Sequence, residues 1–167
     1  MSGRGTPASD AVRRAGVAHT VHEFEREDGA GRGGRRPSWG LEAAAALGVS
    51  PERVFKTLVV KVDETRPVMG VVPVDAELDL KALAAAVGGR RAALADAVEA
   101  ERATGYRVGG ISPLGGRRRL PTVVDVTALE PATIFVSGGR RGLDLELAGS
   151  DLVALTGATV GSIARRA

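Results

Sequence analysis

The stretch that decides the fold is RVFKTLVVKV, residues 53–62, which has the pattern of a β-strand with a lysine in its apolar face. Successive side chains of a strand point to opposite faces, so Val54, Lys56 and Leu58 share one face and Thr57 lies on the other. A single ammonium between Val54 and Leu58 has two interpretations. It is either a lysine that reaches water from an edge strand or a functional group in a pocket.

Short helices and strands surround this segment without a regular strand–helix–strand alternation. About four or five helices against seven or eight strands predict an α+β fold, not a doubly wound parallel sheet. We expect a single domain over residues 1–167, with a mixed, mostly antiparallel sheet or partial barrel and flanking helices. The predicted helices are 8–15, one from Ser38 to Gly48, one from Asp79 to Gly88, one from Asp96 to Gly105 with a Glu99 capping box, and 150–155; the predicted extended segments are 17–24, 53–62, 67–74, 106–111, 122–126, 133–137, 143–147 and 158–163.

Composition narrows the class of protein. The chain has 167 residues, of which 44% are hydrophobic and 26% charged, as is typical of one soluble globular domain. The absence of cysteine excludes disulfides, thiolate metal sites and a cysteine nucleophile supplied by the protein. The first residues lack an apolar signal core, and no apolar run approaches the roughly 18 to 20 residues that span a bilayer. We therefore expect a cytoplasmic protein with no membrane association.

Arginines cluster beside glycines in four places, although the formal net charge is only +3. Guanidinium groups next to flexible glycines suit phosphate binding, which makes a polyanionic partner a natural hypothesis. The competing interpretation is that these are solvated loops whose arginines reflect coding preference. The segment 26–37 is predicted to be a mobile basic loop. The clusters are GRGGRR (31–36), GGRR (88–91), GGRRR (115–119) and GGRR (138–141).

The ionisable residues give no complete catalytic motif. His19 and His22 are three apart on a predicted strand and so point to opposite faces, which disfavours a shared metal. Ser137, His22 and Asp144 could form a triad in space, but no spacing requires it. No Walker or dinucleotide-binding pattern is present, so no cofactor is predicted.

Two glycine pairs mark the ends of predicted strands. The Gly109–Gly110 pair removes side chains where one strand ends, and the Gly138–Gly139 pair follows Ser137. Paired glycine amides can form an anion-binding concavity or an oxyanion hole. The spacing alone favours a simpler interpretation, a tight hairpin in which Asp144 lies on a solvated polar face.

Five segments in order resemble the YbaK/EbsC family of aminoacyl-tRNA deacylases, and within it the Cys-tRNA(Pro) deacylases. The same fold is found in the editing domain of bacterial prolyl-tRNA synthetases. The resemblance implies an enzyme that edits mischarged tRNA in trans, as an ester hydrolase or through lyase-type cyclisation by the substrate's own thiol. The segments are VFKTLVV (54–60), DLKALA (79–84), TGYRVGGISPLG (104–115), RRLPTVVD (118–125) and ATIFVSGGRRGLDLEL (132–147).

The resemblance also implies a set of site residues and partners. The pocket would hold the aminoacyl ester and the terminal adenosine of tRNA, with prolyl-tRNA synthetase as a possible partner and no metal or cofactor. Gly109 and Gly110 amides would polarise the ester carbonyl. The implied catalytic residues are Lys56, Thr57, Gly109 and Gly110; the implied substrate-binding residues are Phe24, Trp39, Ile111, Ser112, Ser137, Gly138, Gly139 and Asp144.

Two positions depart from the family pattern, because Phe24 stands where the family has tyrosine and Trp39 where it has phenylalanine. These changes leave the amino-acid preference open between cysteine and another small residue such as alanine. The sequence also leaves open the oligomeric state and a different class of protein, a non-catalytic module that binds tRNA or a nucleotide.

Overall fold

The computed structural model describes residues 5–25 and 39–166, within which five α-helices and ten strands form one α+β unit. Ser38 and the predicted basic loop at 26–37 lie outside the described residues. The elements are α1 (Pro7–Ala15), β1 (His19–Glu23), α2 (Trp39–Leu47), β2 (Phe55–Val62), β3 (Arg66–Pro73), β4 (Glu77–Leu78), α3 (Leu80–Ala86), β5 (Ala92–Leu94), α4 (Ala97–Thr104), β6 (Thr122–Asp125), β7 (Ile134–Arg140), β8 (Leu143–Leu147), α5 (Gly149–Thr156), β9 (Thr159–Gly161) and β10 (Ala164–Arg165).

The strands form a mixed architecture, as the sequence predicts. One sheet has the order β5-β2-β3-β6-β9, with antiparallel pairs on both sides of β2 and parallel pairs at β6. A second sheet has the antiparallel order β1-β8-β7, and β10 pairs with β4. A parallel bridge between Val54 and Phe135 joins the start of β2 to β7, so the two larger sheets meet beside Lys56.

The two faces of β2 pack against different apolar layers. Phe55 and Val59 contribute to the main core, which also holds the inner faces of β7 and β8 and residues of α1, α4 and α5. Val60 and Val62 point the other way and pack with Leu83 of α3. Full burial of such aliphatic side chains stabilises the fold by about 1.5 to 3 kcal/mol each. The period-two alternation of the opening segment is therefore confirmed.

Helix caps follow the sequence, whereas one predicted strand is wrong and three short strands were not predicted. Asp96 and Glu99 form the predicted capping box of α4, and Gly105 ends it with φ +79°. Residues 106–111, predicted to be extended, form a turn-containing loop because Gly109 adopts φ +96°. The strands β4, β5 and β10 contain two or three residues each, too few to produce a recognisable alternation.

Within the described ranges, no helix is long and apolar enough to cross a membrane.

Candidate active site

Three polar residues form a row across the second sheet. Ser137 of β7 lies directly opposite Asp144 of β8, which in turn lies opposite His22 of β1. Directly opposed residues of neighbouring antiparallel strands project to the same side of a sheet. The three side chains therefore share one face, while the neighbours Val136 and Leu145 point into the main core.

Lys56 extends this row from the other sheet. Because Val54 and Phe135 are bridged in parallel, the residues two positions further along, Lys56 and Ser137, project to the same side. We call the surface formed by Lys56, Ser137, Asp144 and His22 the Lys56 face. It brings together residues that are up to 122 positions apart in the sequence, as between His22 and Asp144.

The Lys56 ammonium occupies an unusual environment for a lysine. The residue is half-buried, and burial lowers its pKa, with the charges of Glu77 and Asp75 opposing that effect. Among the described residues, no carboxylate comes within 4 Å of its Nζ and no hydrogen bond holds it. A desolvated ammonium without such partners is costly, and it is available to a bound ligand.

Asp144 is buried, contrary to the hairpin interpretation that placed it on a solvated face. Only 6% of the residue is exposed, because β8 is the middle strand of its sheet. Burial raises the pKa of its carboxyl to about 7, and the charge of His22 acts in the opposite direction. Asp144 is therefore a carboxyl group that changes protonation state near neutral pH.

His22 does not complete a catalytic triad with Ser137. Its Nε2 lies 2.8 Å from Oε1 of Glu146, and its ring packs 5.2 Å from that of Phe135. The Ser137 hydroxyl accepts a hydrogen bond of 3.2 Å from the Gly139 amide. Arg53 and Thr133 also bind Glu146, so this network fixes His22 against the carboxylate and away from a role as base to Ser137.

Helix α2 covers part of the Lys56 face with small side chains. Ala43 and Ala44 pack against Val54 and Phe135, and the half-buried Phe24 packs against the same cluster. Phe24 follows β1, two residues beyond His22, so alternation directs both side chains to the same side. Phe24 thus lies at the apolar edge of the site, and its role in substrate binding stays a prediction.

The opposite edge is formed by Gly109, Trp39 and Arg141. A Cβ at Gly109 would lie 2.9 Å from Cδ of Arg141 and 3.2 Å from Cδ2 of Trp39, and the φ of +96° at this position favours glycine. The Arg141 guanidinium lies 5.1 Å from the centre of the Trp39 ring. Arg141 was missed by the sequence assignment, although its position in the GGRR cluster at 138–141 was a usable signal.

The glycine amides of the site are less available than the sequence suggested. The Gly110 N–H donates to the carbonyl of Arg107 at 2.9 Å. This amide is already occupied, so the assignment of Gly110 as a donor to the ester carbonyl is corrected. The Gly139 N–H is bound to Ser137, and the Gly138 carbonyl accepts from the Thr6 hydroxyl. The Gly109 N–H, by contrast, has no acceptor within the described ranges.

Ile111 and Ser112 lie away from the Lys56 face. Ile111 belongs to the main core, and Ser112, only 1% exposed, accepts a hydrogen bond from the Leu114 N–H. Ser112 lines a separate cleft of about 340 Å³ whose rim carries Arg118 and Arg119. Direct substrate binding by Ile111 and Ser112 at the Lys56 face is therefore not supported.

Thr57 gives the first testable prediction. Its side chain lies on the main-core side of β2, opposite to Lys56, and its Oγ1 is buried without a hydrogen-bond partner among the described residues. Thr57→Val removes that unsatisfied hydroxyl at nearly constant shape, so we expect the free energy of unfolding to rise by about 1 kcal/mol. Any activity that depends on the Lys56 face should stay within twofold of the parent. A tenfold loss of rate with normal stability would return Thr57 to the catalytic set.

Fold and site together define an α+β editing domain for aminoacyl-tRNA. A family model described as "Aminoacyl-tRNA editing domain" matches residues 40–155, and the chain belongs to this family. The chain is 41% identical over 113 residues to "Putative Cys-tRNA(Pro)/Cys-tRNA(Cys) deacylase EbsC" of Enterococcus faecalis, covering 68% of this chain and 69% of that protein.

Two solved structures support the same fold. The structure of "hypothetical protein APE2540" matches with a TM-score of 0.82 and 28% identity, covering 96% of this chain and all of that one. The structure of "a putative trans-editing enzyme for prolyl tRNA synthetase" matches with a TM-score of 0.80 and 24% identity, covering 98% of this chain and 99% of that one.

Proposed function

We propose that this protein is a trans-editing aminoacyl-tRNA deacylase that removes cysteine from mischarged Cys-tRNA(Pro). The observation that carries the proposal is the half-buried ammonium of Lys56, which has no ion pair among the described residues and lies on a polar face inside the segment that matches the editing-domain family. Its 41% identical relative is named for the same reaction. Because the chain contains no cysteine, the nucleophile we assign is the thiol of the substrate.

The reaction proceeds by positioning the substrate. The cysteinyl sulfur attacks its own ester carbonyl, a carbon–sulfur bond forms, and the carbon–oxygen bond to the ribose breaks. The ribose oxygen leaves with the proton that the thiol loses, and water then opens the resulting four-membered thiolactone. Holding sulfur and carbonyl in attack geometry supplies several kcal/mol of the barrier reduction, on the order of measured effective molarities.

Each residue of the site has an assigned role in this scheme. The Gly109 N–H and the Lys56 ammonium stabilise negative charge on the carbonyl oxygen, since neither has a hydrogen-bond acceptor or ion-pair partner in the part of the chain that the structure describes. Asp144 and Ser137 contact the α-amine of the cysteinyl group, and the indole of Trp39 stacks on the terminal adenine. Phe24 closes the apolar side, which favours a small side chain.

The substrate thiol gives the second prediction. Cys-tRNA(Pro) should lose its amino acid at least roughly 100-fold faster than Ala-tRNA(Pro), Pro-tRNA(Pro) or Ser-tRNA, because only cysteine carries the internal nucleophile. S-methylcysteinyl-tRNA(Pro) is the matched control, as it has a similar shape but no free thiol, and it should be stable. Rapid release of S-methylcysteine or alanine would mean hydrolysis by water and would remove the thiol mechanism while keeping the enzyme.

Prolyl-tRNA synthetase is the partner that the proposal favours. A domain of this size presents little surface for reading tRNA identity, so a synthetase that releases mischarged tRNA directly to the editing site would supply the selectivity. Such an enzyme works where tRNA is charged, and we accordingly place it in the cytoplasm. If the protein binds tRNA but hydrolyses none of these esters, the competing binding-module function applies instead.

A further inference from the structure

We propose that Arg117, Arg118 and Arg119 bind the phosphates of the acceptor stem of the substrate tRNA. This proposal rests on the proposed deacylase function. It names a surface outside the pocket that would bind the part of the tRNA beyond its 3′ end. We call the three residues the arginine triplet.

The arginine triplet carries positive charge that no carboxylate neutralises within the described residues. Arg117 donates to the carbonyl of Arg102 at 3.5 Å and Arg119 to that of Leu155 at 3.2 Å, contacts that orient a guanidinium without cancelling its charge. All three residues are exposed. Six other arginines differ in this respect, because they form ion pairs with carboxylates: Arg13, Arg53, Arg140, Arg141, Arg165 and Arg166. Isolated arginines without an ion pair also occur among the described residues, but the triplet places three in succession.

The triplet lies on the same loop as the pocket glycine. The loop from α4 to β6 contains both Gly109 and the triplet, and Tyr106 ties it to the β7–β8 hairpin that carries Ser137. The Tyr106 hydroxyl donates to the Leu114 carbonyl at 2.7 Å, and its Cε1 would lie 2.9 Å from a Cβ at Gly139. These contacts anchor the loop that carries the triplet beside the hairpin that bears Ser137.

The triplet is short and lies close to an anchored point of its loop. Gly115 is fixed against the backbone of Pro7, and the triplet begins two residues later. At no more than about 3.6 Å per residue, the last arginine lies within about 14 Å of Gly115. Successive phosphates of one strand in a duplex are about 3.4 Å apart along the axis, so several can reach the triplet.

In the cleft beside the triplet, the arginine side chains are the hydrogen-bond donors available to a phosphate. Arg118 and Arg119 lie at the rim of the cleft of about 340 Å³, next to Gly116. The hydroxyls of Thr104 and Thr122 inside it donate to backbone carbonyls and are already occupied. A planar guanidinium at such a rim can make paired hydrogen bonds to a phosphate, and the absence of a side chain at Gly116 permits close approach.

A second arginine doublet provides a matched control. Arg90 and Arg91 are exposed and also follow two glycines, but the Oδ1 of Asp63 accepts hydrogen bonds from both of their amides. Asp63 follows the far end of β2, about 23 Å along the chain from Lys56 at roughly 3.3 Å per residue. The sequence could not distinguish this doublet from the triplet, whereas the fold separates them.

The test compares two charge reversals on two substrates. R118E/R119E and R90E/R91E are assayed with Cys-tRNA(Pro) and with a minimal substrate, cysteine esterified to the 3′ hydroxyl of adenosine. We expect the kcat/KM of R118E/R119E on the tRNA to fall at least about tenfold. The slope of log kcat/KM against log salt concentration should become shallower by about 0.7 to 0.9 for each phosphate contact that is lost. The same variant should hydrolyse the minimal ester at the parent rate, and R90E/R91E should resemble the parent on both substrates.

The possible outcomes test tRNA binding by the triplet separately from the deacylase function. If R118E/R119E hydrolyses Cys-tRNA(Pro) at the parent rate with an unchanged salt dependence, the triplet does not bind tRNA although the deacylase function stands. If it loses both substrates equally, or unfolds at lower temperature, its role is structural and the inference is wrong. The single variant R118E is the control for structural damage, because Arg118 makes no hydrogen bond within the described residues. Failure of the parent protein to hydrolyse either substrate would contradict the proposed function itself.

Discussion

Lys56→Met is expected to lower kcat/KM for Cys-tRNA(Pro) by about 100-fold or more, with the fold intact. Loss of one preorganised donor to a developing oxyanion costs about 10²- to 10³-fold in other acyl-transfer enzymes. Methionine keeps an unbranched stem on the strand face that Lys56 shares with Val54 and Leu58, and it removes the charge. The measurement is a deacylation time course under single-turnover conditions, which reports the chemical step without product release.

Stability distinguishes this prediction from simple damage to the protein. The Lys56 ammonium is desolvated and has no carboxylate within 4 Å among the described residues, so Lys56→Met should unfold at the same or a higher temperature. Lys61→Met is the matched control on the same strand, because its ammonium is bound to Glu99 at 2.7 Å near the surface. It should retain full activity. An active Lys56→Met protein would remove the lysine from the chemistry, and an unfolded one would make it structural.

Local features of this fold could be predicted from the sequence because they depend on neighbouring residues. The alternation of β2 and the caps at Asp79 and Asp96 involve contacts within a few positions, and the structure confirms them. The burial of Asp144 could not be predicted in this way. It depends on β1 and β7 lying on either side of β8, and β1 is more than 100 residues distant. Alternation within LDLEL is the same for a solvated edge strand and for a buried central one.

The candidate site shows the same division between local and long-range information. The resemblance identified Lys56, Gly109, Ser137 and Asp144, and a pairing across two sheets places three of them on one face. It grouped Thr57 with Lys56, although a period of two already directs adjacent strand residues to opposite sides. The occupied amide of Gly110 was beyond sequence reasoning, because a turn in a glycine-rich loop has no periodic signature.

Asp144→Asn should change how the stability of the protein depends on pH. The buried carboxyl has a folded-state pKa of about 7, against an ordinary value of 3.8, so the folded state binds its proton more tightly than the unfolded state does. This contribution to stability is fully present below pH 3.8 and is lost as the pH rises through 7. A tenfold change in proton affinity corresponds to about 1.4 kcal/mol, so the stability of the parent relative to Asp144→Asn should fall by about 3 kcal/mol between pH 5 and pH 8.

The measurement is urea unfolding of both proteins across that pH range, with His22→Gln as a second background. The charge of His22 lowers the Asp144 pKa, so its removal should move the loss of stability to higher pH. Parallel curves for the parent and Asp144→Asn would mean that water reaches the carboxyl in the folded protein. Asp144 would then be ionised throughout this range and would meet the α-ammonium of a substrate as a fixed charge. If the stability of the parent relative to Asp144→Asn falls with pH, the Asp144 carboxyl is largely neutral below pH 7. It must then lose its proton when it binds the α-ammonium of the substrate, so substrate binding becomes weaker below pH 7.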